Sequence, residues 1–238
     1  MLIAAEGAGV ASYDPSSDTW ELIAEPPNGI GFGPFFDVFW TGSELVVWTM
    51  NEIGIALDLE TRIWRTLPEP PDTILRSGYT HDDVAYTGTG LIVWGASSRS
   101  FQPESIDGAV LDLATGEWME LPKPLEDPTP CECRLRGGQT MVWTEESLLI
   151  STSHFSSNAD TNEPALIAYH PETDSWTYEG VSPLGWEGAL SNEWGERAIM
   201  AGDRVVLISD HDLYLSPPGW QPQGQPIPND LLYAVRQP

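Results

Sequence analysis

The chain has 238 residues and a net charge of −26, from 36 acidic against 10 basic side chains, with Lys123 its single lysine. So negative a surface repels phosphate backbones, which makes nucleic acids and anionic membranes poor partners, and no run reaches the roughly 20 apolar residues of a membrane span. Hydrophobic residues make up 41% of the chain, enough for a sizeable core, and 11 residues are tryptophan.

In chain order, an apolar run, LIAAEGA, comes first and leads to YDPSSDTWELIAEPP (Tyr13 to Pro27). FDVFWTG (Phe36 to Gly42), ELVVWTM and IGIALDL follow, and close on LDLETRIWRTLPEPP (Leu57 to Pro71). DDVAYTG (Asp82 to Gly88), LIVWGAS and GAVLDLA lead to LDLATGEWMELPKPL (Leu111 to Leu125). QTMVWTE (Gln139 to Glu145), SLLISTS and ALIAYHP lead to YHPETDSWTYEGVSP (Tyr169 to Pro183). RAIMAGD (Arg197 to Asp203), RVVLISD and HDLYLSP lead to a degenerate copy, YLSPPGWQPQGQPIP (Tyr214 to Pro228). Short runs of Val, Ile and aromatics bounded by Gly, Thr, Asp and Pro are strands. No helical period competes with them over a useful window.

The tryptophans that lead the fourth run of each unit, Trp20, Trp64, Trp118, Trp176 and Trp220, are 44, 54, 58 and 44 residues apart. Propeller blades recur at roughly 40 to 50 residues. A four-stranded antiparallel sheet cannot bury both faces alone, so neighbouring units must stack. The expected fold is all-β: a β-propeller of four-stranded antiparallel blades, five in this chain, in a single domain. The expected blades are residues 1–27 together with 231–238, then 36–71, 82–125, 138–183 and 196–228. The first unit lacks an opening strand and Leu231 to Arg236 has the character of one, so the carboxy-terminal strand is expected to complete the first blade and leave no open edge. The rival is a fragment of a larger ring. The repeat tryptophans, with Trp40, Trp48, Trp94 and Trp143, are expected to pack between blades.

Tyr13-Asp14-Pro15 with Trp20, Tyr169-His170-Pro171 with Trp176, the WTG and YTG turns and the VVW and IVW strands together resemble kelch-type β-propeller repeats in their bacterial variant. The resemblance covers almost the whole chain. The second and third units carry Leu-Asp-Leu in place of Tyr-Asp-Pro, and the double glycine of kelch strands is absent, with only Gly95 near its place. The resemblance implies a scaffold shared by enzymes and binding proteins, so function does not follow from it. A kelch-fold copper oxidase would need a cysteine-modified tyrosine and histidine ligands. Here Cys131 and Cys133 sit in a Pro-rich connection and the four histidines are scattered, so neither that activity nor any cofactor is expected. A disulfide within C-x-C is strained, and a metal site needs more soft ligands than these two.

In an up-and-down sheet, alternate connections emerge at the same end. Those from first to second and from third to fourth strand are tight. The longer ones, Asp72 to His81, Ser97 to Asp107, Lys123 to Gly138, Ser151 to Pro164 and Gly180 to Glu196, share the opposite end. Function concentrates on loops held by a rigid scaffold. The ligand-binding candidates are therefore Tyr79 and His81, beside Asp82 and Asp83; Arg99 and Phe101; His154 and Phe155, near Asn158, Asp160, Asn162 and Glu163; and Trp186, Glu187, Glu193 and Trp194. Tryptophan flanked by carboxylates can stack on a sugar ring while the acids bond its hydroxyls, and two acids at the right separation can serve a glycosidase. Asn158-x-Asp160-x-Asn162 begins like a calcium loop, but Glu163 stands where glycine is required and Tyr169 where a bidentate glutamate is, which excludes an EF-hand-like site. Asp210-His211-Asp212 reads as turn chemistry, and His170 as a structural replacement for a turn aspartate. No nucleophile elbow, P-loop or dinucleotide fingerprint occurs.

The leading expectation is a non-enzymatic binding or scaffold propeller, monomeric, recognising a protein or glycan through its long-loop face, with no catalytic or metal residue assigned. The alternatives are a carbohydrate-active enzyme of glycosidase or lyase type with carboxylates at the ring mouth, and a piece of a larger exported kelch-like protein. MLIAAEGAGV lacks the basic region and long apolar core of a signal peptide. The chain as it stands is expected in the cytoplasm, or in an extracellular or periplasmic compartment if its true start lies upstream.

Overall fold

The structure, a computed structural model, describes residues 2–5, 9–27, 30, 36–49, 54–71, 83–96, 106–122, 133–156, 161–180, 197–201, 203–208, 213–216 and 233–234. Every regular element among them is a strand, and all strand pairs whose register is defined are antiparallel. The first sheet holds β1 (Leu2–Ala5), β2 (Gly9–Asp14) and β3 (Thr19–Ala24); the second holds β4 (Phe36–Trp40), β5 (Glu44–Thr49), β6 (Gly54–Asp58) and β7 (Ile63–Thr66). The third holds β8 (Asp83–Tyr86), β9 (Gly90–Ala96), β10 (Ile106–Asp112) and β11 (Trp118–Glu120), and the fourth β12 (Cys133–Trp143), β13 (Leu148–Ser156), β14 (Thr161–His170) and β15 (Ser175–Gly180). The fifth holds β16 (Arg197–Ala201), β17 (Arg204–Ile208), β18 (Leu213–Leu215) and β19 (Tyr233–Ala234). Each sheet runs in simple up-and-down order.

The turns explain why these runs pair as they do. Between the first two strands of a sheet, Thr41, Thr87 and Thr144 each accept a hydrogen bond on the side-chain hydroxyl from the N–H three residues on, of Glu44, Gly90 and Ser147. The residue after each threonine has φ of 101° (Gly42), 94° (Gly88) or 78° (Glu145), which is why the motif prefers Thr-Gly. Between the last two strands, the residue two before the repeat tryptophan is left-handed in all four described copies: Asp18 at 53°, Arg62 at 60°, Gly116 at 74° and Asp174 at 48°. Aspartate is favoured there when the repeat opens on tyrosine. The Tyr13 and Tyr169 hydroxyls donate to Asp18 and Asp174 at 2.8 and 2.9 Å. Where leucine replaces the tyrosine, at Leu57 and Leu111, the position is Arg62 and Gly116 instead.

The chain falls into two compact units, Met1–Pro71 with Asp112–Trp118, and Asp72–Leu111 with Met119–Pro238. In the first unit, Val10, Leu45, Val47, Ile55 and Leu57 form the buried core, with Ala4, Ile23, Phe36 and Trp64 against it. Trp48 lies directly opposite Gly54 across β5 and β6; a Cβ on Gly54 would stand 2.8 Å from the Trp48 ring and 2.9 Å from Leu67 Cδ1. Trp64 Nε1 donates to the Glu25 carbonyl at 2.7 Å, and Trp118 Nε1 to the Pro68 carbonyl at 3.2 Å. Trp118 also meets Trp48 edge-on.

The second unit repeats these devices. Ala85, Ile92, Trp94, Leu121, Met141, Leu148, Ile150, Ile167, Tyr169 and Trp176 form its core. A Cβ on Gly108 would lie 2.5 Å from the Trp94 ring. Trp176 Nε1 donates to the Pro122 carbonyl at 2.7 Å, and its ring packs on Trp94 and Tyr169. In the fourth sheet the large and small partners are exchanged, with Ser151 opposite Leu166.

Three expectations are corrected. The carboxy-terminal strand does not complete the first sheet: Tyr233 and Ala234 pair with Leu215 and Tyr214, so β19 is the fourth strand of the fifth sheet and the first sheet has three. The Trp220 run, expected in that place, lies outside the described residues. The fourth blade begins at Cys133 rather than residue 138, because Gly137-Gly138 is absorbed as a register shift between Arg136 and Thr140. Finally, two tryptophans assigned to packing are open, Trp20 at 54% exposure and Trp40 at 47%.

Candidate functional site

The antiparallel order puts both classes of tight turn at one end of each sheet and leaves the variable connections to the other end. The acidic turn residues are occupied in holding the backbone. Hydrogen bonds from Ser16 hold the Asp14 carboxyl below the usual range, as the N–H groups of Thr61 and Thr115 do for Asp58 and Asp112. These carboxylates accept bonds from their own turns and are scaffold, not site.

Two of the ten sequence candidates fall among the described residues. Tyr79, His81, Arg99, Phe101, Trp186, Glu187, Glu193 and Trp194 lie outside the described residues. His154 and Phe155, expected on a loop, are instead on β13. The register sets His154 between Leu135 and Glu163, and Phe155 between Arg134 and Asn162. Asp83 belongs to β8, opposite Trp94, and Asn162 to β14. Strands β13 and β14 run 9 and 10 residues, against 6 and 5 for the equivalent β5 and β6. The extra length is a hairpin arm at the variable end. The loop reading failed here because Asn, Asp and Ser near the tip masked ladder pairing that continues from Leu148–Tyr169 out to Ser156–Thr161.

One constellation was missed from sequence. Glu179 is 1% exposed and occupies a bulge in β15, between Tyr178 opposite Ile167 and Gly180 opposite Leu166. Thr177 Oγ1 donates to Glu179 Oε1 at 2.6 Å, and His170 Nε2 lies 2.7 Å from the same hydroxyl. The Thr177 proton is committed to the carboxyl, so its oxygen accepts from His170 Nε2–H. In the neutral ring, Nδ1 then accepts from the Ser147 hydroxyl at 2.9 Å. This serine, histidine and acid are not a nucleophilic triad. Ser147 is buried, so its hydroxyl has no approach for a substrate carbonyl, and the histidine reaches the acid through threonine. The chain of bonds ties the β12–β13 turn to β15. A sequence signal existed: the equivalent bulge residue in the first sheet is Ile23, so an acid at this place is out of pattern. The reading of His170 as structural agrees with these contacts.

Burial, with a hydrogen bond to Asp174, pushes the Tyr169 hydroxyl up to about 12, so it stays protonated and serves the turn. Among the described residues no group of three or more His, Cys, Asp or Glu is placed to hold a metal ion, and no helix is long and apolar enough to cross a membrane.

No protein-family model matches the sequence, and no curated protein is significantly similar to it. Solved structures are similar in fold. The GH74 xyloglucanase from Xanthomonas campestris aligns over 97% of this chain and 36% of its own, with a TM-score of 0.55 and 15% identity. A chain in the S. cerevisiae complex of Dbp5 with Nup159, Gle1, IP6 and ADP aligns over 98% of this chain and 61% of its own, with a TM-score of 0.51 and 14% identity. The N-terminal domain of Nup159 aligns over 98% and 61%, with a TM-score of 0.50 and 14% identity. The chain thus spans between 36% and 61% of these structures. With its antiparallel four-stranded sheets, the likeness establishes an all-β fold of the β-propeller type.

Proposed function

We propose that residues 1–238 form one kelch-type propeller domain that binds a protein or glycan, without turning it over, through the end of the sheets that carries the variable connections. The observation that supports this reading most is the β13–β14 arm. It extends a ladder past its sibling strands and carries His154 and Phe155. The opposite end is spent on conserved-geometry turns, whose side chains bond their own backbone. Binding proteins place adaptable contacts on such a scaffold.

The test is calorimetric titration of the chain with soluble β-glucan and xyloglucan oligosaccharides, with the product mixture assayed for chain cleavage. Saturable binding without cleavage, weakened about tenfold or more in a His154→Ala, Phe155→Ala double variant, is the expected result for a glycan ligand. Hydrolysis that Glu187→Gln or Glu193→Gln abolishes would overturn the non-enzymatic reading. Absence of binding to the whole glycan set would leave a protein ligand as the remaining form of the proposal.

A further inference from the structure

Beyond the body of the fourth sheet, the arm is three-stranded. The β13–β14 ladder runs without a break from Leu148–Tyr169 to Ser156–Thr161. The start of β12 joins it, with Cys133, Arg134, Leu135 and Arg136 opposite Ser156, Phe155, His154 and Ser153. Residues opposite one another share a face, and successive residues alternate between faces. The register therefore sorts the arm into two faces. One carries Arg134, Phe155 and Asn162 in one row and Arg136, Ser153 and Pro164 in the next. The other carries Cys133, Ser156 and Thr161, then Leu135, His154 and Glu163. His154 and Phe155, neighbours in sequence, are on opposite faces.

The two faces differ in charge. The chain has 10 basic side chains against 36 acidic, yet two of the ten stand on the first face, two residues apart, and the described residues of that face include no acid. Glu163, the acid of the arm's paired residues, is on the second face. Positions two apart on a strand are separated by about 7 Å, and residues directly opposite have Cβ atoms about 5 Å apart. Arg134, Arg136, Phe155 and Asn162 thus fall within the footprint of a disaccharide. Arginine presents a planar fork that takes a carboxylate through two hydrogen bonds. Asparagine both donates and accepts, as hydroxyl groups require, and phenylalanine offers a flat apolar ring. A densely charged polyanion is repelled by the rest of so acidic a chain. The ligand that suits this face therefore carries few carboxylates, on a body that is otherwise neutral and hydroxylated.

We infer that the Arg134–Phe155 face of the arm binds a uronic-acid-containing oligosaccharide, with the arginines on its carboxylates, Phe155 against a sugar ring and Asn162 on hydroxyl groups. The inference rests on the reading of this domain as a binding propeller and names the ligand class of its arm. His154 takes no part, since the register sets it on the reverse face.

The test titrates the full chain by calorimetry with digalacturonic acid, with its dimethyl ester, and with the acetylated and amidated peptide Gly-Glu-Gly-Glu-Gly, which offers two carboxylates on a polypeptide. The expected result is saturable binding of digalacturonic acid, weakened about tenfold or more by esterification and by Arg134→Ala, Arg136→Ala or Phe155→Ala, and unchanged by His154→Ala. The ester comparison uses the unaltered protein, so it reads the role of the carboxylates even where an arm variant fails to fold. Absence of saturable binding, equal binding of acid and ester, or a loss on His154→Ala without one on Phe155→Ala overturns the inference. So does a preference for the peptide, which would give the face to an acidic protein segment. Binding of neutral xyloglucan oligosaccharides without binding of digalacturonic acid would defeat this inference alone and leave the binding propeller standing.

Discussion

The first and fourth sheets carry almost the same eight-residue turn, Tyr13 to Trp20 and Tyr169 to Trp176, and build it with the same tyrosine-to-aspartate bond. Trp20 packs on Tyr13 at a ring separation of 4.8 Å, and Trp176 on Tyr169 at 5.2 Å. Yet Trp20 is more than half exposed while Trp176 is buried against Trp94 with its indole N–H bonded to Pro122. The turn is therefore a local property of its own residues. Burial of the indole is a property of the neighbouring sheet, which supplies both the apolar wall and the carbonyl.

The largest effect that would break this comparison is in the tryptophans themselves. Trp176→Ala removes a fully packed indole and should cost about 3–5 kcal/mol in urea unfolding, whereas Trp20→Ala should cost under about 1 kcal/mol; equal losses would mean that Trp20 is covered in solution. Next, Gly54→Ala forces a methyl into the Trp48 ring and Leu67, and should cost about 1–3 kcal/mol in the same measurement. Ser151→Ala, opposite Leu166 rather than glycine, introduces no such clash and should be milder. The smallest effect is in the turn acids. Asp58 and Asp112 titrate below their unfolded range, so the unfolded chain takes up protons first on acidification. Their contribution is present above about pH 4 and is lost as pH falls through their folded values. The stability difference between the protein and its Asp112→Asn variant should therefore shrink between pH 6 and pH 3. A constant difference would mean that Asp112 does not act through its charge.

The strand pattern, four runs per unit with a tryptophan leading the last, was legible because period-two burial and Thr-Gly or Asp-x-x-x turns are local signals. Pairing partners are not local. Leu231 to Arg236 has the composition of an opening strand and equally that of a closing one, and only the pairing with Leu215 and Tyr214 decides between them. Glycines misled in one place: Gly137-Gly138 reads as a boundary, but a register shift lets β12 run through it. His154 and Phe155 were chosen for their chemistry and placed on a loop, since nothing in a polar hairpin tip distinguishes it from a longer loop.

The indole latches have a direction. Trp64 reaches back 39 residues, Trp118 50 and Trp176 54, each time to a carbonyl that precedes it. During synthesis each of these three acceptors leaves the ribosome before its donor, so the module that carries the tryptophan finds its carbonyl already made. Folding can advance at the pace of translation, one module at a time.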